Sequence, residues 1–289
     1  MFFVLFFFLI NAYPKIYLVR IRAALMFFTG DHPAQCKIGC LKEGGYGACR
    51  RCHMSQYLNV EDRVIGAVQY TNNRYQSRNP PPIRTVNSMY HYTNSWKEAS
   101  TDGERLQVSN LGGITGDSPL WRLYHMYGFD ISRDLVFDVM HTLSLNVFKK
   151  YVETFIERIG HNQSRKTEIE NALNLIGTMR PKGLGQRWPK NPTTRLGFFK
   201  AEEYKNFVLW ILPYLLDYFN VIDSHPELFK LGLILIELSR IYFPHNHTYG
   251  WTEDTIQSTK SLLQSWRIRS EDYMGPSGSV LEHVAGEHL

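Results

Sequence analysis

Residues 137–160 read FDVMHTLSLNVFKKYVETFIERIG. Val147, Phe148, Val152, Phe155, Ile156 and Ile159 recur at three- and four-residue steps, and Gly160 closes the run. That spacing lays the apolar side chains along one face of a helix. Toward the C-terminus the same reasoning predicts helices over about 168–179, 200–219, 226–242 and 253–266. Pro213 should end or kink the second of these, since it lacks the N–H that a helix interior needs. Between the first two, residues 180–198 (RPKGLGQRWPKNPTTRLGF) read as a Pro/Gly/Arg loop. Toward the N-terminus, residues 17–29 (YLVRIRAALMFFT) are apolar, rich in β-branched and aromatic types, and end at Gly30. They read as a strand. The expected fold class is therefore α+β, mostly helical.

Four segments follow from this reading. Residues 1–15 are an apolar start, and 16–69 hold the strand and a Gly/Cys knuckle. Residues 70–118 are polar and irregular, with prolines at 80 to 82 and Gly112-Gly113. Residues 119–289 are helical. Met1 to Ile10 (MFFVLFFFLI) is too short to span a membrane, which takes about 20 residues. It has the length of a signal-peptide core, but no Lys or Arg precedes it and Asn11-Ala12-Tyr13-Pro14 is a poor cleavage site. A nuclear or cytoplasmic protein is the expectation, with secretion the minor alternative and membrane insertion disfavoured.

The 289 residues carry a formal net charge of +5, with 44% hydrophobic and 20% charged residues. Such a chain buries a core and is neither disordered nor a coiled coil. Residues 201–289 carry 6 basic and 12 acidic residues, whereas residues 1–200 carry 26 and 15. The net is −6 against +11. Residues 165–200 alone hold 8 basic and 2 acidic side chains around Trp188. Arg180, Lys182, Arg187, Lys190 and Arg195 are the candidate contacts to nucleic-acid phosphates. The plain alternative is a solvated basic loop.

All four cysteines fall in one stretch, as Cys36-x3-Cys40-x8-Cys49-x2-Cys52. Two thiolates in C-x-x-C reach one tetrahedral zinc. Cys36 and Cys40, or a histidine such as His53, His125 or His141, could complete the set; ordinary thiols are the alternative. Asp31 stands at the end of the apolar run, where a carboxylate suits a divalent cation, or merely a turn. Asp138 either shares a face with His141 or caps the helix. Glu202 and Glu203 open the 200–219 helix, where carboxylates favour the macrodipole in any case. No GxGxxG, P-loop or GxSxG occurs.

Four stretches taken in order carry a resemblance. They are AALMFFTGDHPAQ (23–35), GGYGACRRC (44–52), FDVMHTLSLNVFKK (137–150) and GFFKAEEYKNFVLWILPYLL (197–216). Together they resemble the transposase of CACTA-type (En/Spm-like) DNA transposons, over about 21–219. The resemblance implies a partial ribonuclease H-like core with a zinc-knuckle insertion, in which three carboxylates hold two Mg²⁺ ions. Asp31 matches the second carboxylate and Glu203 the third, with Glu202 its neighbour. Cys49 and Cys52 match the family's zinc-binding C-x-x-C. Asp138 and His141 match an Asp-x-Met-His block, where His141 is a zinc ligand or a structural residue. The first carboxylate has no counterpart, because the thirty residues before Asp31 contain no Asp or Glu. The expectation is thus a transposase remnant, inactive as it stands, with DNA as partner, a homo-oligomer left open, and no small-molecule cofactor. The alternative of another class is a non-enzymatic, zinc-stabilised module that binds DNA or protein.

Overall fold

The computed structural model describes residues 27–45, 47–53, 82–179, 187–243 and 251–275, together with the short strands β1 (Asn11–Ala12) and β2 (Lys15–Ile16). The fold is mostly helical. β1 and β2 pair antiparallel, Asn11 with Ile16 and Ala12 with Lys15. Most of the 17–29 strand expectation lies outside the described residues. Its end is described: Phe28 forms a parallel bridge with Leu135. Among the described residues β1–β2 is the only sheet.

The first unit runs from Phe28 to Phe137. Helix α1 (His32–Gly39) starts at Asp31, whose Oδ1 accepts from the Ala34 N–H at 2.8 Å, with Pro33 in the first turn. It stops at Cys40, which adopts a left-handed conformation with φ of 48°. The expectation of irregular chain over 70–118 needs correction from Val86 onward. Two helices occupy that stretch, α2 (Val86–Glu98) and α3 (Asp102–Gly112). Each opens on a reciprocal capping box, Thr85 with Ser88 and Thr101 with Glu104. α4 (Leu120–Tyr127) follows and ends at Gly128, φ 72°. A small core gathers Cys36, Leu41, Met89, Ile114, Leu120, Trp121, Phe129, Ile131 and Leu135.

The second unit is a helical bundle. Its first element, α5, widens into a π-helix over Met140–Phe148 before the regular helix Lys149–Ile159. Val147, Phe148, Val152, Phe155, Ile156 and Ile159 are all buried, as their spacing requires. α6 runs Gln163–Thr178 from an Asn162 cap, earlier than the expected start at 168. After the loop come a single turn α7 (Pro192–Arg195) and a 3₁₀ turn Leu196–Phe198. α8 (Ala201–Asn206) leads through a π turn, Phe207–Ile211, into α9 (Leu212–Tyr218). The wide turn sits just before Pro213, where the regular N–H bond is missing. α10 (Val221–Ser224), α11 (Pro226–Tyr242) and α12 (Glu253–Met274) complete it; α12 runs beyond the expected end at 266. Leu228, Leu231, Leu235 and Leu238 place α11 at the centre of the large core. No helix among the described residues is long and apolar enough to cross a membrane.

Candidate functional site

Two regions hold the residues singled out from the sequence. The first is the knuckle, from Asp31 to His53. Cys36, Cys49 and Cys52 are buried there, while Cys40 is only half-buried and stands beside Gly116. Cys36 Sγ lies 3.5 Å from Nε2 of His32, one helical turn before it. A zinc ion bonded to a thiolate at 2.3 Å and an imidazole at about 2.05 Å holds those atoms about 3.6 Å apart. Yet Nε2 also lies 3.0 Å from the Glu43 carbonyl, a contact that makes it the N–H, and Nδ1 faces Arg50 at 3.4 Å. Both nitrogens of His32 are thus engaged in the protein. Burial, and next Arg50, holds this imidazole below its ordinary pKa even though the Glu43 contact opposes the shift. Burial pushes the Cys36 thiol up to about 11.

Arg84 ties this region together. Its guanidinium donates to the carbonyls of Cys49 (2.8 Å), Cys52 (3.2 Å), Gly47 (2.9 Å) and Gly112. Arg50 lies over the Phe137 ring, 3.9 Å from its centroid. His53 donates or accepts through Nε2 with Ser88 Oγ at 3.0 Å, while its buried Nδ1 has no hydrogen-bond partner among the described residues. Burial, aided by Arg84, pushes the His53 imidazole down to about 4. The donor chemistry suits zinc: three buried thiols and an imidazole nitrogen left over. As placed, no three His, Cys, Asp or Glu side chains gather at one metal-sized point among the described residues.

The other expected ligands stand elsewhere. His141 Nδ1 pairs with Asp138 Oδ2 at 2.7 Å, and Asp138 Oδ1 accepts from the Met140 N–H at 2.8 Å. So Asp138 both caps the helix and holds His141. His125 packs edge-on against Tyr90 and Tyr124. Asp31 is the cap of α1. Glu203 Oε2 accepts from the Lys200 N–H at 2.8 Å and so closes the start of α8. Each carboxylate therefore does the local work that its position in a first helical turn allows.

The second region is a pocket of about 430 Å³ lined by Arg187, Trp188, Lys190, Arg195, Phe198, Phe199, Lys200 and Glu203. Three of the five basic residues singled out for phosphate contact converge here. Arg180 and Lys182 lie outside the described residues. The walls are anchored from below: Asn206, itself buried, donates to the Arg187 carbonyl at 2.7 Å, and the Tyr204 hydroxyl donates to the Leu196 carbonyl at 2.8 Å. Trp188 packs over Gly177, where a Cβ would come 3.1 Å from the indole nitrogen. Sequence reasoning missed His32, Arg50, Arg84 and Phe198. The four-residue step from His32 to Cys36 on a helix was the available signal for the first; nothing local marked Arg84. No family model, curated protein or solved structure matches the chain.

Proposed function

We propose that the chain is a nucleic-acid-binding protein descended from a cut-and-paste DNA transposase. It grips the phosphate backbone through the 187–203 pocket. One observation carries this reading. Arg187, Lys190, Arg195 and Lys200 converge on one pocket with three aromatic rings, and none of the four is in an ion pair among the described residues. Glu203 is the one acidic side chain on the lining, so four cations outnumber it, and such an excess of cations is what counterion release from nucleic acid requires. The transposase ancestry rests on the four ordered sequence blocks. The bridge from Phe28 to Leu135 adds support for a ribonuclease H-like core, since it joins the end of the apolar run to the approach of the Asp-x-Met-His block.

Binding to a labelled duplex should weaken steeply as salt rises. Replacing Arg187, Lys190 and Arg195 together by Ala should lower the slope of log K against log salt by about 3, roughly one for each phosphate that is no longer neutralised. An unchanged slope and affinity would sink the reading. Mg²⁺-dependent nicking is not expected, because Asp31 and Glu203 are each engaged in capping a helix, α1 and α8. Robust nicking that vanishes in Asp31→Ala would reverse this. Zinc is proposed as a structural ion, held by Cys36, Cys49, Cys52 and His53, where it would cross-link the knuckle. Metal analysis should find one equivalent in the wild type and none in Cys49→Ser.

A further inference from the structure

The 187–203 pocket carries more than charge. Phe198 is 74% exposed, more than any other large apolar side chain among the described residues. A single exposed apolar residue is ordinary on a protein surface. This one stands on the lining of a pocket that it shares with four cations, one carboxylate (Glu203) and the buried rings of Trp188 and Phe199.

The position of Phe198 is fixed rather than free. It ends the 3₁₀ turn Leu196–Phe198, whose first carbonyl is held by the Tyr204 hydroxyl at 2.8 Å and by the Phe199 N–H at 3.1 Å. Phe199 turns inward and packs edge-on against Tyr204, with ring centroids 5.5 Å apart. Phe198, just before it, is left facing solvent. A ring held open to solvent beside four cations has the composition of a stacking platform for single-stranded nucleic acid. In a duplex the base faces are already covered by their neighbours, so such a ring has nothing to stack on. The volume of about 430 Å³ falls within the range of pockets that take one small ligand, about 300–1,000 Å³.

We infer that this pocket receives an unpaired nucleotide, with its base stacked on Phe198 and the flanking phosphates on Arg187, Lys190, Arg195 and Lys200. The inference rests on the reading that the chain binds nucleic acid here, and it names the form bound.

Fluorescence anisotropy on the full chain tests it with three labelled probes of equal length. They are a single strand, the same strand made abasic at its internal positions, and the matching duplex. The wild type should bind the single strand about 5- to 100-fold more tightly than the abasic strand, the worth of one stacked base. Phe198→Ala should erase that difference and leave abasic and duplex binding unchanged. Phe198→Trp should restore it. Because Phe198 is exposed, these variants should keep the wild-type circular dichroism spectrum. Equal binding of the base-bearing and abasic strands by the wild type would overturn the inference while leaving phosphate binding intact. So would full single-strand affinity in Phe198→Ala. Failure to bind any of the three probes would instead overturn the proposed function itself.

Discussion

Arg84 shows how one side chain can stand in for a sheet. It is 2% exposed, and its donors reach four carbonyls, those of Gly47, Cys49 and Cys52 in the knuckle and of Gly112 at the end of α3. A buried charge is tolerated only when its hydrogen-bonding groups are matched, and a buried carbonyl left unmatched costs free energy too. The planar guanidinium, with five donors at fixed angles, satisfies several carbonyls that no ladder would serve. Gly113 is part of the same device. Its φ is +69°, and a Cβ there would come 2.5 Å from the guanidinium and 2.1 Å from the Gly47 carbonyl. Arg84→Lys keeps the charge but loses the fork and two donors. It should destabilise the knuckle by about 1–3 kcal/mol, against about 3–5 kcal/mol for Arg84→Met, which leaves the carbonyls buried and bare. Denaturant unfolding followed at the cysteines would measure both. Equal stability of Arg84→Met and the wild type would mean that water takes over the carbonyls.

Among the elements, α11 and α12 meet through Glu227. Its Oε1 accepts from Lys230 at 2.7 Å on its own helix, and its Oε2 accepts from Arg269 at 2.8 Å on α12. The Lys230 contact first, and Arg269 with it, holds this carboxyl below its ordinary range. The unfolded chain thus takes up the proton more readily than the folded one as pH falls. The contribution to stability is complete above the unfolded value of about 4.3 and is lost as pH drops through the lowered folded value. Glu227 is about two-fifths exposed, so the whole effect is about 0.5–1 kcal/mol and shrinks in high salt. Glu227→Gln should lower stability by that amount at pH 7 and by progressively less as pH falls below the unfolded value, measured by urea titration at each pH. The elements also show what a pattern can and cannot carry. α11 was legible to its ends because Pro226 opens it and a leucine stripe follows. The α5 stripe was legible too. α2 and α3 were not, because they bury only Met89 and Thr93, and Ser109 and Gly112, which make no apolar periodicity. Their capping boxes were the remaining signal, and the prolines before them outweighed it.

For the whole molecule, the two units hold themselves together differently. The bundle core contains twenty-nine buried residues and the first unit's core nine, among those described. Local periodicity announces a bundle, so that half could be read from sequence. The first unit depends on contacts between distant segments, such as Arg84 to Cys49 and Phe28 to Leu135, and these leave no local trace. The pocket was legible in part: charge clustering picked out Arg187, Lys190 and Arg195, but not the aromatic ring that completes it. Among the described residues, Arg51, Val136 and Phe137 of the first unit line a pocket of about 370 Å³ together with Tyr242, Trp251, Ile256 and Thr259 of the second. The smaller core should open before the larger one. All four cysteines lie between residues 36 and 52, so thiol labelling reports on the first unit alone. Far-UV circular dichroism is dominated by the bundle helices. In guanidinium the thiol transition should precede the dichroism transition, and Arg84→Lys should move the first midpoint down while leaving the second in place. Coincident midpoints that shift together in the variant would show instead that the two cores fold as one cooperative block.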